Sequence, residues 1–262
     1  MTTRTGVGLM DQSLRDLYRN FLKDTIRKTI DFRLTDQNRG IAPPPIEQPY
    51  PVDAPRIDLV PYGKWTDIRA IELTTALFNR KSRRLYRNEP LSLDELSFLL
   101  WATQGIRAHI NSGHAYRTVP SAGCRHALET YLCVVNIHGL QRGVYRYLPV
   151  EHQLLLERVA EDIGEKVVAA VFGQPYPGKA AVTFVWVAIP YRMEWRYDIA
   201  AYKVIALDAG HVAQNLYLAC ESMGAGTCAI AAYDQEAMDT LLGVDGTDEF
   251  AIYCASVGKA RD

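Results

Sequence analysis

The chain has 262 residues, of which 48 % are hydrophobic and 23 % charged, and 29 basic against 30 acidic residues leave a formal net charge of −1. This composition is typical of a folded globular protein and excludes a disordered or disulfide-stapled chain. Because nucleic-acid binding usually needs a basic face and a membrane helix needs roughly 20 apolar residues, we expect neither a nucleic acid nor a membrane as partner.

The five cysteines are odd in number and contain no C-x-x-C pair, which argues against a zinc ribbon or a disulfide framework. Cys124 and His126 have a spacing that metal ligands use, but no second pair accompanies them, so no metal site is predicted. Free thiols are typical of a reducing compartment, and the first residues lack the apolar segment of a secretory signal. We therefore expect a cytoplasmic protein.

Residues 1–62 are predicted to form an N-terminal helix and a proline-rich arm. Apolar residues at helical spacing predict an amphipathic helix over residues 11–33. Seven prolines follow between Ile41 and Tyr62, and proline favours extended backbone and supplies no amide donor. We interpret this region as an arm that wraps the body or a partner subunit, with a flexible linker as the alternative. Residues 63–262 then form the main domain.

The main domain is predicted to alternate helices and strands irregularly, which is typical of an α+β fold. Ser92 and Glu95 fit a capping box at the start of one helix, and Gly224 can close the longest one. A hairpin is predicted from residues 139–149 and 152–159. The other predicted elements are helices over residues 66–78, 92–105, 161–172, 202–223 and 234–242, and strands over residues 131–137, 181–189, 228–233 and 250–257.

Residues 80–84, Arg-Lys-Ser-Arg-Arg, place four cations and a hydroxyl in five residues at a predicted turn. Such groups can neutralise a phosphate monoester through charge-assisted hydrogen bonds, which arginine can make in pairs. The pattern therefore predicts an anion site, and a solvated charged turn is the alternative.

Two further segments have small side chains that would let the backbone approach a flat ligand. Residues 120–123, Pro-Ser-Ala-Gly, combine a rigid proline, a hydroxyl and two small residues. Residues 224–232 are nearly free of bulky side chains between a helix and a strand. An ordinary turn and ordinary core packing are the respective alternatives.

In this order along the chain, these segments resemble the FMN-dependent nitroreductase family and, within it, the SagB-type dehydrogenases, which include thiazoline and oxazoline oxidases. The resemblance extends from about Thr66 to the C-terminus. It rests on RKSRRLY at 80–86, LLWATQG at 99–105, RTVPSAG at 117–123, GVYRY at 143–147 and DAGHVAQN at 208–215.

The resemblance implies a nitroreductase-like α+β fold with a central mixed sheet flanked by helices, and an obligate homodimer that binds FMN with both chains. The turn at 80–84 would bind the phosphate and ribityl chain, residues 120–123 would line the isoalloxazine, and the backbone of residues 230–232 would lie near its N5 edge. Basic residues near the C-terminus would add to the phosphate site. The implied cofactor-binding residues are Arg80, Lys81, Ser82, Arg84, Pro120, Ser121, Ala122, Gly123, Ile230, Ala231, Ala232, Lys259 and Arg261.

The implied activity is that of an FMN-dependent oxidoreductase that exchanges hydride between flavin N5 and a small organic substrate, with NADH or NADPH as candidate electron donor. Azoline oxidases of the resembling family carry a Lys-Tyr pair just before the long helix, where this chain has Arg196-Tyr197. Arginine stays protonated and makes a poor general base, so Tyr197 is the candidate proton donor. The alternatives are azoline oxidation of a modified peptide and a non-catalytic flavin-binding protein.

Overall fold

The computed structural model describes residues 12–261 of the chain. This part contains seven α-helices and nine strands, joined by turns and loops. The helices are α1 (Gln12–Phe21), α2 (Leu73–Asn79), α3 (Leu93–Gln104), α4 (Ile163–Ala170), α5 (Pro190–Tyr197), α6 (Ala201–Glu221) and α7 (Gln235–Leu242). The strands are β1 (Arg56–Asp58), β2 (Ile106–Asn111), β3 (His114–Arg117), β4 (Leu128–Val134), β5 (Gly143–Leu148), β6 (Gln153–Val159), β7 (Val182–Ala188), β8 (Ala225–Ile230) and β9 (Phe250–Lys259). Within residues 12–261, no helix is long and apolar enough to cross a membrane.

Seven strands form one sheet in the order β1-β6-β5-β4-β7-β9-β8, and β2 and β3 form a separate hairpin. The α+β class and the nitroreductase-like arrangement are confirmed. The strand pairs of the large sheet are all antiparallel rather than mixed. The helical connection from β7 to β8 does leave these two strands pointing the same way, but β9 lies between them, so they do not become neighbours.

Helices cover both faces of this sheet, and β7 shows why. Its alternating side chains enter two different cores, with Phe184 and Trp186 on one face and Val185 and Val187 on the other. The first core contains the buried residues of α3 and α6, and the second contains those of α4 and α7. The central strand is therefore buried on both sides, and α6 is held firmly against the sheet.

Elements with strong local signals are confirmed. Ser92 accepts a hydrogen bond from the amide of Glu95, whose carboxylate accepts one from the amide of Ser92, so the capping box of α3 is complete. Helix α6 runs over the predicted periodic segment, and Gly224 follows it with a φ of 63°. The β5–β6 hairpin pairs Gly143 with Val159 and Leu148 with Gln153.

Four predicted elements have the wrong bounds. The strand predicted over residues 131–137 lies three residues earlier, as β4, where its pairing with β7 places it. The helix predicted over residues 11–33 ends at Phe21; beyond it Thr29 bonds back to the Ile26 carbonyl at 2.8 Å, a local bond that competes with helix formation. The helix predicted over residues 66–78 begins only at Leu73, because Thr66 donates instead to Asp94 at 2.8 Å. The strand predicted over residues 228–233 is shifted to β8 by its pairing with β9.

The sequence patterns missed α5 and the β2–β3 hairpin, since no helix or strand is predicted at either place. Most of β2 is exposed and its register with β3 is irregular, so the period of two that marks a strand is absent. Helix α5 begins with Pro190 and buries Arg192 together with Met193 and Trp195, so its buried residues do not form a purely apolar helical pattern.

The proline-rich segment contacts the main domain at several points. Its strand β1 pairs with β6. Trp195 donates to the carbonyl of Ile41 at 3.0 Å, and Arg117 donates to the carbonyl of Ile46 at 2.6 Å. Residues 41–58 are thus held on the body, while the division at residue 62 stays a prediction. Residues 1–11 of the predicted arm, including the start of its helix, and Asp262 of the main domain lie outside the described residues.

Candidate functional site

The cationic turn at residues 80–84 lies along the edge strand β8. Ser82 forms a parallel bridge with Thr227, and the amide of Arg83 donates to the Thr227 carbonyl at 2.9 Å. Lys81, Ser82 and Arg84 are exposed. The backbone of the turn is therefore fixed to the sheet while Lys81 and Arg84 face solvent.

Arg83 points the other way and has a structural role. Its guanidinium forms an ion pair of 2.5 Å with Glu221, and both side chains are largely buried. The side chain also packs over Gly226, where an added Cβ would come within 2.7 Å of it. Three cations of the turn, Arg80, Lys81 and Arg84, form no ion pair within residues 12–261, so these three are available to an anion.

Tyr217 of α6 joins the turn to β8, and sequence reasoning missed it. Its hydroxyl accepts a hydrogen bond from the Ala229 amide at 2.9 Å and shares one of 2.8 Å with the Ser82 hydroxyl. The guanidinium of Arg80 lies over its ring, 5.2 Å from the centroid. Nothing in the sequence marks this residue, because one tyrosine in an amphipathic helix is unremarkable until its partners are known.

Arg84 stacks on a different ring. Its guanidinium lies 5.7 Å from the ring centroid of Tyr176. Burial raises the pKa of Tyr176 to about 12, so the hydroxyl beside Arg84 stays protonated near neutral pH. Both outer arginines of the turn are thus oriented by aromatic faces, which leaves their charges uncompensated.

The two C-terminal basic residues differ. Arg261 is exposed, and its amide donates to the Leu85 carbonyl at 3.1 Å, which fixes it beside the turn. Lys259 instead forms an ion pair with Glu95 at the start of α3. Of the two predicted phosphate ligands, Arg261 is therefore the one whose guanidinium forms no ion pair within residues 12–261, and its backbone is bonded to the residue after Arg84.

Ile230, Ala231 and Ala232 lie at the end of the same edge strand. The side chain of Ile230 is buried in the core, whereas Ala231 and Ala232 are exposed just beyond β8. The predicted ring-edge residues thus lie at the end of the strand beside which the cationic turn runs, as a shared site requires.

The loop at residues 120–126 is held from α6. Asp208 accepts a hydrogen bond from the Ala122 amide at 3.3 Å, and burial raises the pKa of its carboxyl group while the bonds from Ser121 and Ala122 oppose that shift. The Ser121 hydroxyl in turn accepts from the His126 amide at 2.9 Å. Gly123, Cys124 and His126 all have positive φ values, of 57°, 58° and 46°. Two non-glycine residues in the left-handed region indicate a strained loop that its surroundings hold in place.

Arg196 and Tyr197, the candidate catalytic residues, lie against this loop at the end of α5. A Cβ added to Gly123 would lie 2.6 Å from both the Arg196 Cδ and the Tyr197 hydroxyl. Arg196 donates to the side chain of Gln37 at 3.0 Å and forms no ion pair within residues 12–261. The structure therefore brings the predicted pair and the Pro-Ser-Ala-Gly segment together, and only glycine fits between them.

Buried charged residues pack against the 120–126 loop and hold it in place. Arg192 and Glu129, with side chains 1 % and 2 % exposed, form an ion pair of 2.5 Å. Arg125 donates to the Arg192 carbonyl at 2.9 Å and stacks on Trp195. Burial, helped by the nearby arginines, lowers the pKa of His126 to about 2, so this imidazole is neutral.

The two predicted groups lie on opposite sides of α6. Asp208, which holds the loop, and Tyr217, which holds the turn, are nine residues apart. At 1.5 Å and 100° per residue this spacing is about 14 Å along the axis and roughly two and a half turns. The two side chains therefore point in opposite directions, and one chain does not bring its turn and its loop to the same face of α6.

A family model described as “Nitroreductase family” matches residues 77–259, which is well over half of the chain. The chain belongs to the nitroreductase family. MJ1384 of Methanocaldococcus jannaschii, a predicted nitroreductase, is 34 % identical over 176 residues, which cover 67 % of this chain and 86 % of the relative. The trifolitoxin-processing protein TfxB of Rhizobium leguminosarum bv. trifolii is 25 % identical over 196 residues, 70 % of this chain and 52 % of TfxB, so this chain spans about half of that relative.

Solved structures of other proteins have the same fold. A predicted nitroreductase from Ralstonia eutropha JMP134 matches with a TM-score of 0.65 and 28 % identity, over 84 % of this chain and 99 % of that one. A chain of the Escherichia coli microcin synthetase McbBCD complex, solved with truncated pro-MccB17 bound, matches with a TM-score of 0.58 and 19 % identity, over 78 % of this chain and 79 % of that one. The protein is thus an oxidoreductase of the nitroreductase family.

Proposed function

We propose that the protein is an FMN-dependent oxidoreductase of the SagB-type branch that acts on a small organic substrate. The observation that carries the proposal is the cationic turn, whose three unpaired cations lie beside exposed small residues at the end of β8. When bound, FMN supplies an N5 atom that accepts or donates hydride.

The donor set of the turn fits a phosphate monoester. Arg80, Lys81 and Arg84 carry charges that no carboxylate of residues 12–261 neutralises, and the Ser82 hydroxyl lies between them. Charge-assisted bonds from two arginines are strong and directional. Arg261 adds a fourth cation, whereas Lys259 would first have to leave Glu95.

We propose that the functional unit is a homodimer in which one chain provides the turn and its partner provides the 120–123 loop. The opposite placement of these groups on α6 supports this arrangement. Exposed apolar residues next to the turn support it as well, since Leu73 and Phe78 of α2 are 64 % and 90 % exposed. Light scattering should report twice the chain mass, and a monomer that retains FMN would count against the shared site.

At the other end of the site, Tyr197 is the proposed proton donor to a reduced substrate. Its hydroxyl touches Gly123, and guanidinium groups of Arg27 and Arg196 lie 5.6 and 5.5 Å from its ring centroid. Arg196 would hold negative charge that develops nearby rather than accept a proton.

The absorption spectrum of the purified protein tests the cofactor. We expect the two visible flavin bands, and a colourless protein that takes up no added FMN would refute the proposal. Anaerobic addition of NADH or NADPH should then bleach the bands. Flavin binding without bleaching by either donor would favour one of the two alternatives, an azoline oxidase or a non-catalytic flavin protein.

Azoline oxidation of a modified peptide is the second candidate function. Two similarities favour it, because one relative is a trifolitoxin-processing protein and one protein of the same fold belongs to a microcin synthetase complex. Arg196 disfavours it, since the family's azoline oxidases carry lysine at this position. An azoline-containing peptide that reduces the bound flavin, with more turnover in Arg196→Lys than in wild type, would support this candidate over the first.

A further inference from the structure

A cavity of about 740 Å³ opens between α3, the β2–β3 hairpin, the 120–126 loop and α6. We call it the hairpin cavity. Pro120 and Ser121 line it on one side, and Arg107, Tyr116 and Arg117 of the hairpin line it on the other. It therefore reaches from the proposed ring-binding loop to a part of the molecule that no step above uses.

One wall of the hairpin cavity is aromatic. Phe98 and Trp101 of α3 line it, and both rings pack against Trp65, at centroid distances of 5.2 Å. Tyr62 stacks on Trp101 at 4.6 Å. A flat, rigid wall of this kind favours planar aromatic ligands, which it can contact over a whole face.

The charges of the hairpin cavity have one sign. No aspartate or glutamate lines it in the part of the chain that the structure describes. Arg107 is exposed, uses only its Nε to bond the Arg117 carbonyl at 2.9 Å, and forms no ion pair within residues 12–261. Its terminal guanidinium nitrogens thus remain free.

Arg117 adds a buried cation at the same wall. It is 4 % exposed and donates to two neutral acceptors, the Gln104 side chain at 2.9 Å and the Ile46 carbonyl at 2.6 Å. Among residues 12–261, its Nε has no hydrogen-bond acceptor. A cavity whose charged lining residues are all cations, and whose other walls have a low dielectric constant, concentrates anions.

We propose that the hairpin cavity binds an aromatic carboxylate, with its ring against Phe98 and Trp101 and its carboxylate on Arg107. The inference rests on the proposed function, because it names the substrate class of the same site. Arg107 would determine specificity by binding the charge that a neutral aromatic molecule lacks. Arg117 would contribute to the positive potential without direct contact.

The test compares 4-nitrobenzoate with 4-nitrobenzamide, which have the same shape and differ in charge. Titration calorimetry on the purified full-length protein, with and without added FMN, would measure both affinities. A charge-assisted bond predicts that the benzoate binds about 10-fold or more tightly than the benzamide. Arg107→Ala should remove this preference without weakening the benzamide, and Arg107→Lys should keep most of it.

Arg56→Ala is the matched control, because Arg56 is also an exposed strand arginine but belongs to β1 of the large sheet and does not line the hairpin cavity. It should behave as wild type. Equal affinity for the two probes, or a preference that survives Arg107→Ala, would overturn the inference. A preference lost in Arg107→Ala by a protein that never takes up FMN would support the cavity assignment and refute the proposed function instead.

Discussion

The two ends of α6 hold their binding groups in opposite ways. Near its C-terminal end, Tyr217 supports a turn whose cations are exposed and stacked on aromatic rings. Near its N-terminal end, Asp208 supports a strained loop whose neighbours are buried arginines, a buried glutamate and a neutral histidine. Exposed groups can stay unpaired because water solvates them, whereas buried charges must be compensated inside the protein.

This difference separates binding from folding. Substitutions in the turn should change affinity for an anion and leave stability almost unchanged. Substitutions around the loop should change stability, because its shape depends on buried charges that lose their partners. The following experiments test that separation, from the largest expected effect to the smallest.

Glu129→Gln should lower the free energy of unfolding by about 3–5 kcal/mol, because it leaves Arg192 buried without a counter-ion. Urea unfolding measures this change. Asp31→Asn breaks the exposed ion pair with Arg33, which is 2.7 Å long, and should lower the free energy of unfolding far less, because water solvates both groups. Similar small losses in both variants would show that the loop does not depend on its buried charges.

Arg80→Ala combined with Arg84→Ala should weaken FMN binding by about 100-fold or more, since each charge-assisted bond contributes about 1.5–3 kcal/mol. Quenching of flavin fluorescence measures the affinity, and the urea midpoint of the apoprotein should not move. Arg33→Ala combined with Arg39→Ala removes two exposed arginines elsewhere and should bind FMN normally. An unchanged affinity in the first variant would remove the turn from the phosphate site.

Acid should destabilise the loop side through His126. The unfolded chain takes up a proton below a pKa of about 6.5, whereas the folded chain holds this imidazole neutral down to a pKa of about 2. Stability should therefore fall with pH below about 6.5, by up to about 1.4 kcal/mol per pH unit. Urea unfolding at pH 7 and pH 5 should show a smaller loss for His126→Gln than for wild type.

Two groups serve as references for that measurement. Burial raises the pKa of Glu47 to about 7, so this carboxyl group makes the protein more stable as the pH falls from 7 to 4.5. Wild type and His126→Gln share this contribution, so it cancels when their losses are compared. His109→Gln changes an exposed histidine of β2 and should lose stability as wild type does. Equal acid losses in all three proteins would contradict the buried neutral imidazole.

Tyr217→Phe should weaken FMN binding by about 5- to 10-fold, because Ser82 and the Ala229 amide lose the hydroxyl that joins the turn to β8, while the ring under Arg80 remains. Tyr145→Phe is the matched control, since it removes a hydroxyl that bonds the Gln141 carbonyl at 3.0 Å, away from the turn. If both variants bind FMN equally well, Tyr217 does not position the turn for its ligand.

Much of the fold could be predicted because its signals are local. The capping box at Ser92 and Glu95, the period of α6 and the β5–β6 hairpin all depend on residues close together in sequence. The β2–β3 hairpin could not be predicted, because most residues of β2 are exposed and show no apolar alternation. The start of α2 could not be predicted either, because Thr66 donates a hydrogen bond to Asp94, which is distant in sequence.

The candidate site divides in the same way. The types of its groups, cations at 80–84 and small residues at 120–123, could be identified from sequence, because charge and side-chain size are properties of single residues. The partners of those groups could not. Arg83 resembles Arg80 and Arg84 in sequence, and only the position of Glu221 makes it structural.

The sequence by itself therefore determined the chemistry of the protein, namely a globular composition with one concentrated cationic turn and two segments of small residues. The tertiary structure decided which of those cations remain unpaired, that Tyr217 holds the turn, and that turn and loop lie on opposite sides of α6. The physical reason is that a charge is carried by one residue, whereas its compensation by another charge depends on residues that only folding brings together.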